Sequence, residues 1–267
     1  MTAIPTLHGH GLALRVLFAA LLAMLVLLCV PRDVAGQSAV RLPFSVGERL
    51  TYLVRVGRFG NIGRGAMWVE GPVAVRGANV LLLRFDLEAG VGPLRGVDRT
   101  SSWLDAGAMT TMRFSKHERH PLSRHDESVE LFPAQLRSEN AEGASRAMTT
   151  DVPLDELSFM YFLRTLPAVV DSTWTFYRHF EPARNPTLVR VVGRETITTT
   201  AGAFETVLME MRVRDPRRYR GEGVIRINFT DDHCRLPVRI ESSMPVFGRT
   251  VLTLESHEHG RVPCEAR

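Results

Sequence analysis

The sequence contains few cysteines and only one lysine, and it lacks the short motifs of several common catalytic and nucleotide-binding sites. Only three of its 267 residues are cysteine, but a chain of this length can bury a substantial core without dense disulfides or metal. No Gly-x-Ser-x-Gly segment presents a nucleophilic serine, and no glycine-rich loop joins a strand to a helix as in dinucleotide and P-loop sites. We therefore assign no catalytic residue, expect no cofactor, and favour a non-enzymatic protein over an enzyme.

Composition and charge exclude several further classes of protein. With 45% hydrophobic and 23% charged residues, the chain is not collagen-like, coiled-coil or wholly disordered. Lys and Arg number 33 against 29 Asp and Glu, and the arginines are spread along the chain, many of them alternating with apolar residues. Because nucleic-acid binding depends on clustered rather than total positive charge, we expect no nucleic-acid partner.

The N-terminal segment has the pattern of a secretory signal peptide. Fifteen apolar residues, Val16–Val30, follow Arg15, and small residues lead up to Gly36, where a peptidase could cut. This run is shorter than the ~20 apolar residues that a transmembrane helix needs. We therefore predict a signal peptide over residues 1–36, cleavage near Gly36, and a periplasmic or otherwise exported mature chain. If the segment stays uncleaved, residues 12–30 would anchor the protein in the membrane.

Two cysteines remain in the predicted mature chain, Cys234 and Cys264. An even number of cysteines in an oxidising compartment favours a disulfide, which would close a loop of about thirty residues and contribute ~3 kcal/mol. Such a bond would tie the C-terminal tail to the turn before a predicted strand at Leu236.

The predicted mature chain, residues 37–267, is a succession of short segments in which apolar and polar residues alternate. Glu48–Gly57, Thr206–Val213 and Gly223–Thr230 show this pattern most clearly. Alternation with a period of two indicates half-buried strands, and turn residues separate the runs at intervals of about 8–15 residues. We therefore predict a single, mainly β domain: a curved antiparallel sheet that forms an incomplete barrel or a sandwich.

One segment breaks this alternation and predicts a helix near residues 153–166. Its apolar residues recur at helical spacing, Asp151 can cap its start, and Pro167 ends it. The segment is apolar nearly all round, which indicates a helix packed against the sheet or in the mouth of a barrel. Asp155 and Arg164 are charged, and we expect them to anchor the helix to the sheet.

A group of histidines between two predicted strands is a candidate metal site. His117 and His120 are three residues apart and Pro121 follows, unlike the spacing of four in a helical zinc motif. A hairpin that brought them together with His125 would supply three ligands, so a metal-dependent hydrolase is one alternative function. The other interpretation is a solvated, histidine-rich loop.

Four segments carry a resemblance to a known family. They lie in this order within residues 44–256: Val46–Tyr52, Asp155–Pro167, Val192–Thr206 and Thr230–Glu241. Together they resemble a bacterial envelope family named domain of unknown function 3108. The resemblance implies an exported, strand-rich domain and supplies no reaction or catalytic residues. The segment His117–Asp126 departs from the family pattern because it is richer in histidine.

The predicted shape suggests a function. A curved sheet with one helix on its concave side can enclose an apolar cavity, so our leading hypothesis is a protein that binds a lipid or another apolar small molecule. The candidate cavity residues point inward by strand alternation or helical spacing: Tyr52, Tyr161, Met209, Met211 and Phe229. The alternative is a structural or partner-binding module in envelope assembly, which would use an exposed sheet edge or the arginine-bearing strand faces.

Overall fold

The computed structural model describes residues 42–91, 94–121, 123–216, 221–244 and 248–262, which belong to a compact unit that begins at Leu42. The predicted signal peptide lies outside the described residues. The strands are β1 (Arg49–Val56), β2 (Asn61–Val75), β3 (Ala78–Val91), β4 (Leu94–Asp105), β5 (Thr110–His120), β6 (Ser123–Phe132), β7 (Arg137–Asn140), β8 (Ser145–Ala147), β9 (Thr173–Phe176), β10 (Thr187–Thr199), β11 (Gly202–Arg214), β12 (Glu222–Thr230), β13 (Pro237–Met244) and β14 (Gly248–Glu258). The α-helix, α1, spans Glu156–Leu163, and short 3-10 helices span Gly57–Phe59, Pro133–Gln135 and Pro182–Arg184.

All fourteen strands belong to one sheet in which neighbours are antiparallel. The strand order is β8-β7-β6-β5-β4-β3-β2-β1-β14-β13-β12-β11-β10-β9, so β1 pairs with β14 and joins the two halves of the chain. The sheet is not closed into a barrel, because β8 and β9 lie at its two ends without pairing to each other. The predicted mainly β fold, an antiparallel sheet forming an incomplete barrel with one packed helix, is confirmed.

Side-chain alternation in β1 defines the two faces of this sheet. Leu50, Tyr52 and Val54 are fully buried, whereas Arg49 and Arg55 are exposed. We call the face that carries Leu50, Tyr52 and Val54 the inner face. Successive side chains of a strand point to opposite faces of the sheet. Apolar residues at every second position of each strand are therefore enough to build a continuous inner core.

Helix α1 packs on the inner face against β3 and β4. Leu157, Phe159, Tyr161 and Leu163 are all buried, and they join the same hydrophobic core as the inner residues of β1. A helix that is apolar on nearly all sides is stable only when it is buried, which agrees with its position inside the curved sheet.

The helix begins later than the sequence predicts, and its cap is Asp155 rather than Asp151. The Asp155 carboxylate accepts hydrogen bonds from the backbone N–H groups of Leu157 and Ser158, and the Ser158 hydroxyl accepts one from the Asp155 N–H. This reciprocal pair is a capping box. The preceding residue, Leu154, is extended because its backbone bonds to Arg178 and Phe180, which prevents a helical start nearer to Asp151.

Candidate ligand-binding site

We call one end of the sheet the mouth. The mouth is the end at which β1, β3, β5, β11 and β13 finish, at Val56, Val91, His120, Arg214 and Met244. At the mouth, each of these strands turns into the strand that follows it in the chain. Residues near the end of one strand therefore lie beside residues near the start of the next.

Inward apolar side chains of β11 and β12 become progressively more exposed toward the mouth. On β11, Met209 is fully buried and Met211 is 4% exposed, but Val213 is only partly buried. On β12, Ile227 is fully buried, and Ile225, one step closer to the mouth, is partly exposed. The register places Ile225 opposite Met211, so partial exposure begins at Ile225 on β12 and two residues nearer the mouth, at Val213, on β11.

The same change occurs on the other half of the sheet. Val54 of β1 is fully buried and Val56 is partly exposed. On β3, Leu83 is fully buried, whereas Leu87 and Ala89 are partly exposed. Most inward apolar side chains deep in the sheet are therefore buried, and a ring of half-buried apolar side chains lies at the mouth.

Toward the mouth, the inner face of β5 and β6 carries charged side chains. A cleft of about 220 Å³ there is lined by Lys116, Glu118, His125, Glu127, Glu156, Arg184 and Asp215. Lys116, the only lysine of the chain, places its Nζ 2.6 Å from a Glu156 carboxylate oxygen and 3.4 Å from a Glu118 oxygen. Arg184 lies 3.3 Å from Glu156 and 3.2 Å from Asp215. The cleft is an ion-pair network that ties α1 to β5 and to the end of β11.

Electrostatics at Glu156 follow from this network. Burial alone would raise the pKa of the Glu156 carboxyl, but the ammonium of Lys116 and the guanidinium of Arg184 outweigh burial and hold that pKa well below its ordinary value. Glu156 is therefore ionised at neutral pH and serves as the shared anion between the two cations.

Asp155 and Arg164 bond α1 to the sheet through separate partners and do not bond to each other. Asp155 accepts hydrogen bonds from the hydroxyls of Ser102 at 2.5 Å and Thr111 at 2.9 Å. Burial raises the pKa of the Asp155 carboxyl, although the bond from Ser102 acts in the opposite direction. Arg164 binds both carboxylate oxygens of Glu48, at 2.6 and 2.8 Å. Glu48, Ser102 and Thr111 were not identified from the sequence, because no local pattern marks partners that lie so far away along the chain.

The five candidate cavity residues all lie in the packed hydrophobic core. They are Tyr52, Tyr161, Met209, Met211 and Phe229, and only Met211 retains measurable exposure. The Tyr52 hydroxyl is satisfied by donating to the Pro237 carbonyl at 2.9 Å. Contact of these five with a ligand stays a prediction, and the inward apolar side chains that remain reachable are those of the mouth.

The three histidines do not form the predicted metal site. His117 lies opposite Asp126 in the β5–β6 ladder, and their side chains meet at 2.7 Å. His120 and His125 lie on the other face, because residues three apart on a strand point to opposite sides. His120 instead contacts Asp98 at 2.8 Å. Within the described ranges, no three His, Cys, Asp or Glu side chains are grouped as a metal ion requires.

Arg119 and Asp126 complete the exposed side of this hairpin. Their side chains are 2.8 Å apart, and hydrogen bonds from Arg119 and His117 lower the pKa of Asp126 to about 2. Each histidine thus has its own carboxylate neighbour: Asp126 for His117, Asp98 for His120 and Glu127 for His125.

Cys234 is disulfide-bonded and buried next to Arg164, whose guanidinium donates to the Cys234 carbonyl at 2.8 Å. Cys264 lies outside the described residues, so its pairing with Cys234 stays a prediction.

Arginines on the outer face are paired with carboxylates of other strands. Arg64 binds Glu255 at 3.0 Å across the sheet, and Arg99 lies 3.7 Å from Asp86. Exposed pairs of this kind contribute little stability, but they balance the positive charge of the strand faces. Within the part of the chain that the structure describes, no helix is long and apolar enough to cross a membrane.

Comparison with known proteins identifies a matching family and a protein of similar fold. The sequence model of a family described as Protein of unknown function (DUF3108) matches residues 51–255. No curated protein matches the chain. A crystal structure of a β-barrel-like protein of domain of unknown function DUF1849 from Brucella abortus aligns with a TM-score of 0.56 and 11% identity, covering 81% of this chain and 98% of that one. A protein with a YmcC-like fold from Bacteroides fragilis aligns over the same shares, 81% and 98%, with 14% identity and a TM-score of only 0.31. At 11% identity, the first alignment supports a β-barrel-like fold and nothing about activity.

Proposed function

The chain belongs to the DUF3108 family, and from this premise we propose that it is an exported, non-enzymatic envelope protein that binds a lipid or another apolar small molecule at the mouth of its sheet. The observation that carries the proposal is the ring of inward, half-buried apolar side chains at the mouth, on β1, β3, β11 and β12. Most inward apolar side chains deeper in these strands are buried, although Phe85 of β3 is partly exposed. Apolar side chains left partly exposed on a concave face are typical of ligand-binding surfaces.

The polar wall next to this ring favours an amphiphilic ligand. Asp98 and Glu118 lie on the inner face of β4 and β5 at the same level as Leu87, and His120 lies two residues nearer the mouth. A molecule with an acyl chain and a polar head could place the chain against β3 and β11 and the head against β4–β6. The site would then combine an apolar surface with a few polar groups that fix orientation, as small-molecule sites commonly do.

The N-terminal sequence supports export. The short apolar run after Arg15 and the small residues before Gly36 match a cleavable signal peptide better than a membrane span. The mature protein would begin at Gln37 and meet its ligand in the periplasm or a comparable compartment.

A charged substitution at the mouth tests the ligand site. Val213→Asp places a carboxylate on the inner apolar surface, so it should weaken binding of a fluorescent fatty acid by about tenfold or more, since burying a charge against an acyl chain is costly. Val192→Asp is the matched control, because Val192 is on the adjacent strand β10 and is 39% exposed. Equal affinity of both folded variants and the unsubstituted chain would contradict the proposal.

A further inference from the structure

A second groove, which shares no lining residue with the mouth or the charged cleft, lies between the two ends of the open sheet. It has a volume of about 610 Å³ and is lined by Pro133, Ala134, Leu136, Thr149, Thr150, Asp151 and Tyr177. These residues come from the turn after β6, the segment after β8 and the segment after β9. The volume is in the range of small-molecule sites.

Backbone hydrogen bonds fix the walls of this groove. The Leu136 N–H donates to the Pro133 carbonyl at 3.0 Å, and the Met148 N–H donates to the Leu136 carbonyl at 2.7 Å. The Arg178 side chain donates to the Val152 carbonyl at 2.9 Å, next to Tyr177. The segments are therefore bonded in pairs, and the groove is preformed rather than assembled by a ligand.

Two large side chains of the groove are exposed although burial would stabilise them. The side chain of Tyr177 is 61% exposed and that of Leu136 is 46% exposed. Leu136 also has a φ of +48°, in the left-handed region that is unfavourable for any residue except glycine and, to a lesser extent, asparagine or aspartate. A left-handed leucine whose apolar side chain stays about half exposed suggests a contact that the isolated chain does not make.

Three further lining residues are polar: Thr149, Thr150 and Asp151. Thr149 and Asp151 are exposed, and the Thr150 hydroxyl accepts a hydrogen bond from the Val152 N–H at 3.2 Å, which leaves its own proton available for donation. The lining thus combines an exposed aromatic ring, small apolar side chains, two hydroxyl donors and a carboxylate acceptor.

We propose that this groove binds an oligosaccharide. A sugar ring has an apolar C–H face that can stack on the Tyr177 ring, and hydroxyls at its edge that can bond to Asp151 and the two threonines. An acyl chain would fit poorly, because the groove is open and half of its lining is polar. An added peptide strand would need unpaired backbone, but the N–H and carbonyl of Leu136 are already bonded. This inference does not depend on the function proposed for the mouth.

Titration of the mature chain with the β-1,4-linked trimer of N-acetylglucosamine, with cellotriose and with maltotriose, followed by amide NMR shifts, tests the site. We expect one or more of these sugars to bind and to shift residues of the groove. Tyr177→Ala should weaken binding about tenfold, whereas Val169→Ala, at a side chain that is also 61% exposed but outside the groove, should not change it.

Leu136→Gly separates binding from folding. Glycine relieves the strained φ, so the variant should keep or raise the melting temperature while its sugar affinity falls several-fold. Absence of binding by all three sugars to the folded chain, or full affinity in both folded variants, would overturn the proposal. Loss of sugar binding with unchanged fatty-acid binding would leave the function of the mouth unaffected, so the two claims fail separately.

Discussion

Arg164 and Glu48 form a two-pronged ion pair in the core, with nitrogen–oxygen distances of 2.6 and 2.8 Å between residues 116 positions apart. Neither side chain is more than 3% exposed. Arg164 also donates to the carbonyls of Pro43 and Cys234. One guanidinium therefore joins the end of α1 to the start of β1 and to the turn before β13.

Removal of one partner of this pair should be strongly destabilising. Glu48→Gln leaves the buried guanidinium of Arg164 without its counter-charge, and we expect a loss of about 3–5 kcal/mol in the free energy of unfolding, measured with urea. Asp171→Asn breaks the exposed pair with Arg190 and is the control, with an expected loss below about 1 kcal/mol. Similar losses for the two variants would show that the buried pair has no special role.

The network around Glu156 should make stability depend on pH. The pKa of Glu156 is lower in the folded chain than its ordinary value of 4.5, so its ionised form stabilises the fold above pH 4.5. This contribution is lost as the pH falls through the folded pKa. Glu156→Gln should therefore cost about 2 kcal/mol at pH 7 and progressively less below pH 4.5.

Urea unfolding at several pH values measures this difference directly. Glu142→Gln, at an exposed turn, serves as the control and should show no such dependence. A cost of Glu156→Gln that stayed constant down to pH 3 would contradict the role of Lys116 and Arg184 as its partners.

The cap of α1 can be tested by substitution of Asp155, the cap in the structure, and of Asp151, the cap predicted from the sequence. Asp155→Ala removes the acceptor for two helix N–H groups and for the buried hydroxyls of Ser102 and Thr111, which should cost about 2–4 kcal/mol. Asp155→Asn keeps a capping oxygen and should cost less. Asp151→Ala should change the melting temperature little, and a larger effect there than at Asp155 would refute the assignment.

Alanine substitutions along β12 should reveal the boundary between the buried core and the mouth. Phe229→Ala removes a fully buried ring and should cost about 3–5 kcal/mol, whereas Ile225→Ala, at a partly exposed side chain, should cost distinctly less. Thermal unfolding of both variants compares them. Equal costs would mean that the mouth is as tightly packed as the interior.

Local patterns in the sequence were sufficient for most strands and for the existence of the helix, but the short strands β7 and β8 were not predicted. Alternation in β1 separates Leu50 and Val54 from Arg49 and Arg55, and this is the burial that the structure shows. The exact start of α1 was not predictable, because both Asp151 and Asp155 suit a cap. The choice is made by Ser102 and Thr111, which lie on other strands.

Two other features needed tertiary information to different degrees. The pairing of Arg164 with Glu48 has no local signal, since only the folded sheet brings the two together. The separation of His117 from His120 did have a local signal in the sequence. Residues three apart on a strand face opposite sides of the sheet, so the two histidines cannot share a metal ion once β5 is identified as a regular strand. The mouth depends on the curvature of the whole sheet, which alternation within a strand does not encode.

The central claim, that this protein carries an apolar molecule, is tested most directly by native mass spectrometry of the mature chain from Gln37, purified from the periplasm of a bacterial host. If the protein carries an apolar molecule, the native mature chain shows an added mass that is lost on denaturation and is extracted into organic solvent. This added mass is reduced in Val213→Asp but not in Val192→Asp. A bare mass for the unsubstituted chain, together with no uptake of added fatty acid or phospholipid, would contradict the claim and favour the partner-binding alternative.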